Sequence, residues 1–203
     1  MGTGAHGVLS HDGVLSHDGV LSHGSLGEAT IVAYEARRFT IVAAVGYDEL
    51  VARFEAAVPV LEQERFQVLV DSGSGWDDVL AAADENAPHG FMRFWQADVT
   101  AMMSPLGLPW RCAEYLMGNQ TIAARMYRHD PAVMLYAPLR VTIHTRPDAA
   151  ACFGIDRPGA QLGSFIDPRI ASVGLELDRK VTQLLESIGV PAPSELTADD
   201  LPA

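Results

Sequence analysis

Positive charge is what this sequence has least of. Its 203 residues set 14 Lys and Arg against 26 Asp and Glu, a formal charge of −12 at pH 7. Phosphate backbones and anionic lipids both select cationic surfaces, and no Lys/Arg run along the chain reverses the balance, so nucleic acid is a poor partner. Long apolar runs are missing too. None approaches the roughly 20 residues that span a bilayer, and glycines break up the region where a signal peptide's apolar segment would lie. The expectation is a cytoplasmic protein with no membrane partner. Cysteine is scarce: Cys112 and Cys152 share no motif spacing and have apolar neighbours, which reads as free thiols in a reducing compartment. The sequence offers no HxH, HxxxH or CxxC, and four of its seven histidines (His6, His11, His17, His23) fall near the N-terminus. No metal or cofactor is expected on that ground.

What is present begins with a repeat. Val8-Leu9-Ser10-His11-Asp12-Gly13 recurs from Val14 and again, shortened, from Val20. Three readings stay open: a dispensable low-complexity extension, a short hairpin turned at the Asp-Gly pairs, or a histidine tract for metal. The organisation expected is an extension over 1–24, one α/β domain over 25–190, and an acidic, proline-rich tail over 191–203.

Within the domain, 29–34 and 39–45 read as β-branched strands. A helix opens at Asp48, with Leu50, Val51, Phe54, Ala57, Val58 and Leu61 on one face and Pro59 to kink it. Phe66–Val70 reads as a strand closed by a glycine turn over 71–75, and Trp76–Ala83 as a short helix. Strands are expected over 90–96, 114–118, 139–145 and 151–155, with a helical stretch or a loop through Met102-Met103. Asp130-Pro131 and Asp167-Pro168 each pair an N-cap with proline at the first helical position. The second opens a long helix whose apolar stripe runs Ile170, Val173, Leu177, Val181, Leu184, Ile188 before Gly189 stops it.

Residues 114–119 (Glu-Tyr-Leu-Met-Gly-Asn), Asp130-Pro131-Ala132, Ala137-Pro138-Leu139-Arg140-Val141 and Asp156-Arg157-Pro158 before the long helix together resemble the domain-of-unknown-function 302 family, over about residues 45–190. Gln120 and Ile155 depart from it, standing where that family carries proline and tyrosine. The resemblance implies an α+β fold, an antiparallel sheet with a β-α-β4-α type core of the TATA-binding-protein-like class and the long C-terminal helix packed on it. It also implies a homodimer, and no settled activity. A third departure is Gln96-Ala97-Asp98, which lies where many members carry an Asp-His pair; Asn119 belongs to the Gly-Asn motif.

Alternation along 139–145 turns Leu139, Val141 and Ile143 toward the core and leaves Arg140, Thr142 and His144 on the other face, about 7 Å apart. Arg140 reads as a clamp for an anion or carbonyl and His144 as a general acid/base, against the plainer reading of a solvated or oligomer-facing polar face. With Asp98 they make the catalytic candidates. An aromatic- and methionine-rich stretch supplies the ligand-binding candidates Trp95, Tyr115, Met117, Asn119, Met126, Tyr127 and Tyr136, since such side chains line adaptable apolar pockets. The function expected is binding of a small hydrophobic or aromatic molecule, with cofactor-independent cyclase or isomerase chemistry as its catalytic form. The alternatives are a non-catalytic homo-oligomeric binding or structural protein and, third, a haem or metal binder.

Overall fold

The structure, a computed structural model, describes residues 29–196. The repeat lies outside the described residues, as does the tail beyond 196. The chain divides into two units, 1–31 and 32–203, and all of the regular structure described here belongs to the second. In order it comprises β1 (Arg38–Val42), α1 (Tyr47–Ala57), α2 (Gln63–Asp71), α3 (Trp76–Asn86), β2 (Met92–Asp98), α4 (Val99–Met103), β3 (Cys112–Gly118), α5 (Gln120–Tyr127), β4 (Leu139–Thr145), β5 (Ala151–Asp156), α6 (Pro158–Leu162) and α7 (Pro168–Ser187). The class is α+β. Five strands form one antiparallel sheet in the order β1-β5-β4-β3-β2.

One sheet face carries the core. Phe39 and Ile41, Phe153 and Ile155, Val141 and Ile143, and Tyr115 and Met117 meet the apolar sides of α1 and α7. The Phe54 ring of α1 stands 4.8 Å from Tyr115 and 5.9 Å from Phe153. The stripe expected on α7 is buried throughout, and Gly189 stops the helix at φ +76°. Each large apolar side chain so buried contributes about 1.5–3 kcal/mol, which makes α7 the main lid of the core.

Beyond α7's stripe, a second device locks its middle. Arg157 and Asp178 form a fully buried ion pair, Nε to Oδ2 at 2.7 Å, and the Gly159 amide donates to Asp178 Oδ1 at 2.8 Å. Burial pushes the Asp178 carboxyl up, against the pull of that amide and of Arg157. A Cβ on Gly174 would stand 3.0 Å from the Leu162 Cβ and 3.1 Å from the Gly159 Cα, so α6 and α7 touch backbone to backbone there.

Two expected strands are not strands. Residues 29–37 are irregular, with Ile31 91% exposed; on that side β5 pairs with Arg38–Val42, and a β-branched run without a partner gains nothing from its propensity. Phe66–Val70 lies inside helix α2. Phe66 packs on the small cluster of Ala83, Ala87 and Met92, while Val68 and Val70 face solvent. One partly buried ring and the Gln67–Asp71 hydrogen bond (2.8 Å) at helical spacing outweigh the β-branched composition. The helix expected through Leu61 ends at Ala57, two residues before Pro59.

Candidate functional site

A cleft of about 290 Å3 opens beside the sheet's edge strand, between α1 and the β2–β3 pair. Four features of the chain build it. Strand alternation turns Tyr115 and Ala113 of β3 to the core face. A bulge at Phe94 lets Arg93 pair with Met117 and Gln96 with Tyr115, so Arg93, Gln96 and Asp98 all share that face. Helical spacing from Tyr47 brings Tyr47, Asp48, Val51 and Glu55 along one side of α1. The loop before β3 adds Arg111.

At its inner end the Tyr115 hydroxyl donates to Glu55 Oε1 at 2.9 Å. Arg93 stands behind them, its Nη1 3.5 Å from Glu55 Oε2 and hydrogen-bonded to Gln96 Oε1. Arg93 also donates to the carbonyls of Val58 (2.7 Å) and Glu55 (3.4 Å). A single guanidinium thus satisfies open carbonyls at the end of α1 and steadies the carboxylate. Tyr115 is only 2% exposed whereas the Glu55 side chain is 34% exposed: the phenol forms the floor and the carboxylate meets solvent. Burial, then the Glu55 hydrogen bond, push the Tyr115 phenol well above the ordinary tyrosine value, so it stays a donor at neutral pH.

The mouth is held by Arg111, which grips Asp48 through two bonds of 2.6 and 2.7 Å and lies 4.1 Å over the Tyr47 ring. That grip keeps the Asp48 carboxyl below its usual range. Burial pushes the Tyr47 phenol up, opposed by a hydrogen bond with Thr100. Asp98 lines the cleft, but its Oδ1 accepts from the Ala101 amide at 3.1 Å, capping α4.

The expected residues scatter. Arg140 and His144 share a face, as alternation requires, but it is the face opposite the cleft, so Asp98 and Tyr115 do not join them. Arg140 is 74% exposed and pairs with Glu114 at 3.2 Å. His144 sits between Cys112 and Cys152 in the strand register; burial lowers its pKa. Both cysteines are free, and with a strand between them they lie too far apart to bridge. Met117 and Met126 are core residues. Asn119 caps α5 through the Thr121 amide at 2.9 Å. Tyr136 makes edge contacts with Tyr34 and Phe165, and its hydrogen bond with Tyr34 pushes its phenol up to about 12. Trp95 and Tyr127 are exposed on separate elements. Tyr115 and Asp98 alone reach the cleft.

Among the described residues no three His, Cys, Asp or Glu side chains gather to hold a metal, and no helix is long and apolar enough to cross a membrane. A family model described as "Domain of unknown function DUF302" matches residues 68–188. That span holds Arg93, Gln96, Asp98, Arg111 and Tyr115 but not Tyr47, Asp48 or Glu55. A crystal structure of an uncharacterized conserved protein DUF302 from Bacillus stearothermophilus is similar in fold: 18% identity, 74% of this chain and 97% of that one, TM-score 0.53. The search of curated proteins finds no match.

Proposed function

The chain belongs to the DUF302 family, and from that footing we propose that it binds a small polar molecule in the cleft between α1 and β2–β3. The observation that carries the reading is the Glu55–Tyr115–Arg93 array. A buried phenol held neutral, a carboxylate at the solvent boundary and a guanidinium behind them form a donor–acceptor set of the kind that orients a ligand. Apart from Arg111, which is already paired, the lining offers carboxylates, phenols and an amide, so a hydroxyl- or amine-bearing ligand fits better than the apolar one expected from composition. At about 290 Å3 the cleft is at the small end of ligand pockets, which run about 300–1,000 Å3. In a catalytic form, Glu55 takes a proton from one atom of the ligand, the Tyr115 hydroxyl turns from Glu55 to donate to the charge that develops, and Glu55 returns the proton to another atom of the ligand, isomerase-type chemistry that needs no cofactor.

Native mass spectrometry and amide chemical-shift mapping with a fragment set test this. Ligand-induced shifts should fall on 47–55, 93–98 and 111–115, and Glu55→Gln and Tyr115→Phe should abolish them while Arg140→Ala and His144→Ala leave them. Shifts confined to Arg140 and His144 would move the site to the opposite face. A second reading, a non-catalytic homo-oligomer joined through that face, draws on Trp95 (48% exposed) and Val42 (42%) standing on it. A concentration-dependent mass lost in Trp95→Ala would favour it.

A further inference from the structure

The sequence shows no basic cluster, yet the fold assembles one. The C-terminal end of α5 and the first turns of α7 flank a shallow groove of about 480 Å3, lined by Arg125, Arg128, His129, Arg169 and Ser172. Arg125 and Arg128 come from one wall and Arg169 from the other, more than 40 positions away in the sequence. In a chain of net charge −12, three guanidiniums on one groove need a reason.

Two acidic groups stand beside them and are already engaged. Glu176 meets Arg125 through two contacts of 3.0 and 2.8 Å. Asp167 accepts from the Arg169 amide at 2.9 Å as the cap of α7 and from the Arg169 guanidinium at 2.9 and 2.5 Å. His129 Nδ1 lies 4.0 Å from the same carboxylate. Those pairings hold Arg125 and Arg169 in place. Arg128 has no such carboxylate: its Nε donates to the Ala124 carbonyl at 3.4 Å, and it makes no ion pair among the described residues. The three guanidiniums stand against two carboxylates, Glu176 and Asp167, an excess opposite in sign to the chain as a whole.

We propose that this groove binds a small phosphate-bearing anion between Arg128 and Arg169. A guanidinium offers a planar fork of donors that fits phosphate oxygens. A tetrahedral dianion presents oxygens toward both walls, and the Ser172 hydroxyl adds a neutral donor. A monocarboxylate presents one edge and meets one wall. The site is exposed, so binding is weakened by salt within a Debye length of about 8–10 Å. This inference is independent of the cleft: its residues lie on other elements, and the two can fail separately.

The test is titration of the full chain with inorganic phosphate and with pyrophosphate at low ionic strength, followed by amide shifts and calorimetry. Saturable shifts are expected at 125–129 and 167–173, tighter for pyrophosphate. Arg128→Ala should weaken binding about tenfold, or about 1.4 kcal/mol; it touches only one carbonyl and leaves both engaged carboxylates alone, so its fold should be intact. Arg169→Ala should weaken binding further, and Arg140→Ala, on the far sheet face, should not change it. Three results would overturn the proposal: unchanged affinity in Arg128→Ala with a native spectrum; a non-saturating response that chloride reproduces, which means an adventitious ion only; or tighter binding of citrate than of pyrophosphate.

Discussion

Two arginine–carboxylate pairs in this molecule look alike on paper and differ in what surrounds them. Arg157 and Asp178 are sealed between α6 and α7, 0% and 1% exposed, with a backbone amide completing the acid's bonding. Arg93 reaches from β2 to Glu55 of α1, with the guanidinium buried and the carboxylate at the cleft, where a phenol shares it. A sealed pair has no way to exchange a partner for a ligand, so its chemistry serves the fold. The half-open pair can exchange one, because water already competes for Glu55. Burial of the acid, not of the arginine, separates a strut from a site.

The comparison can be broken most directly at Asp178. Asp178→Asn removes a fully buried carboxylate charge from between the Arg157 guanidinium and the Gly159 amide, and about 3–5 kcal/mol of stability should go. Glu55→Gln, at the solvent boundary, should cost about 1 kcal/mol or less. Equal shifts of the two denaturation midpoints would erase the distinction. Replacing both sealed residues, Arg157→Met with Asp178→Leu, should cost less than Asp178→Asn alone. The sealed end is sharpened next by Leu177→Ala, a buried truncation expected to cost about 2–5 kcal/mol, against exposed Arg179→Ala, expected within about 0.5 kcal/mol of the parent. Equal midpoints there would mean that α7 is rotated from the phase described.

The smallest effects are at the cleft. Tyr115→Phe removes one hydrogen bond, about 0.5–1.5 kcal/mol, and should change the pH profile more visibly than the midpoint. The folded phenol titrates above the ordinary tyrosine value, so its contribution is fully present below the unfolded pKa of about 10 and is lost as pH rises toward the folded one. Stability of the parent should therefore fall faster above pH 10 than that of Tyr115→Phe. Parallel alkaline unfolding curves would place the phenol in water.

Much of the fold was legible because period and punctuation agreed. Leu139–Thr145 alternates cleanly, and Asp167-Pro168 with Gly189 brackets the α7 stripe. Where composition alone spoke, as in Phe66–Val70, the tertiary setting overrode it. The candidate site was mostly hidden. Alternation across Met92–Asp98 groups Arg93 with Trp95 and Ala97; the bulge at Phe94 resets the phase and joins Arg93 to Gln96 and Asp98 instead. Glu55 looked like an ordinary charged position on an amphipathic helix, and its value depends on Tyr115, 60 residues away. Nothing in the spacing of Arg125 and Arg169 announces a shared groove. Alternation did predict that Arg140 and His144 share a face, but not that the cleft lies on the other one.

The edge of β2 has a further consequence. An outermost strand leaves a row of free amides and carbonyls that another chain can copy, the usual start of runaway strand-to-strand association. Here the Arg93 amide is taken by the Pro59 carbonyl at 2.7 Å and the Arg93 carbonyl by the Leu61 amide at 2.9 Å. The bulge then interrupts the next residues, and α4 turns the chain away after Asp98. Beyond the bulge only the four residues Trp95–Asp98 are left for an extended peptide to zip onto. The border beside the cleft is blunted against polymerisation and strand addition alike, which leaves it to visitors that diffuse in whole.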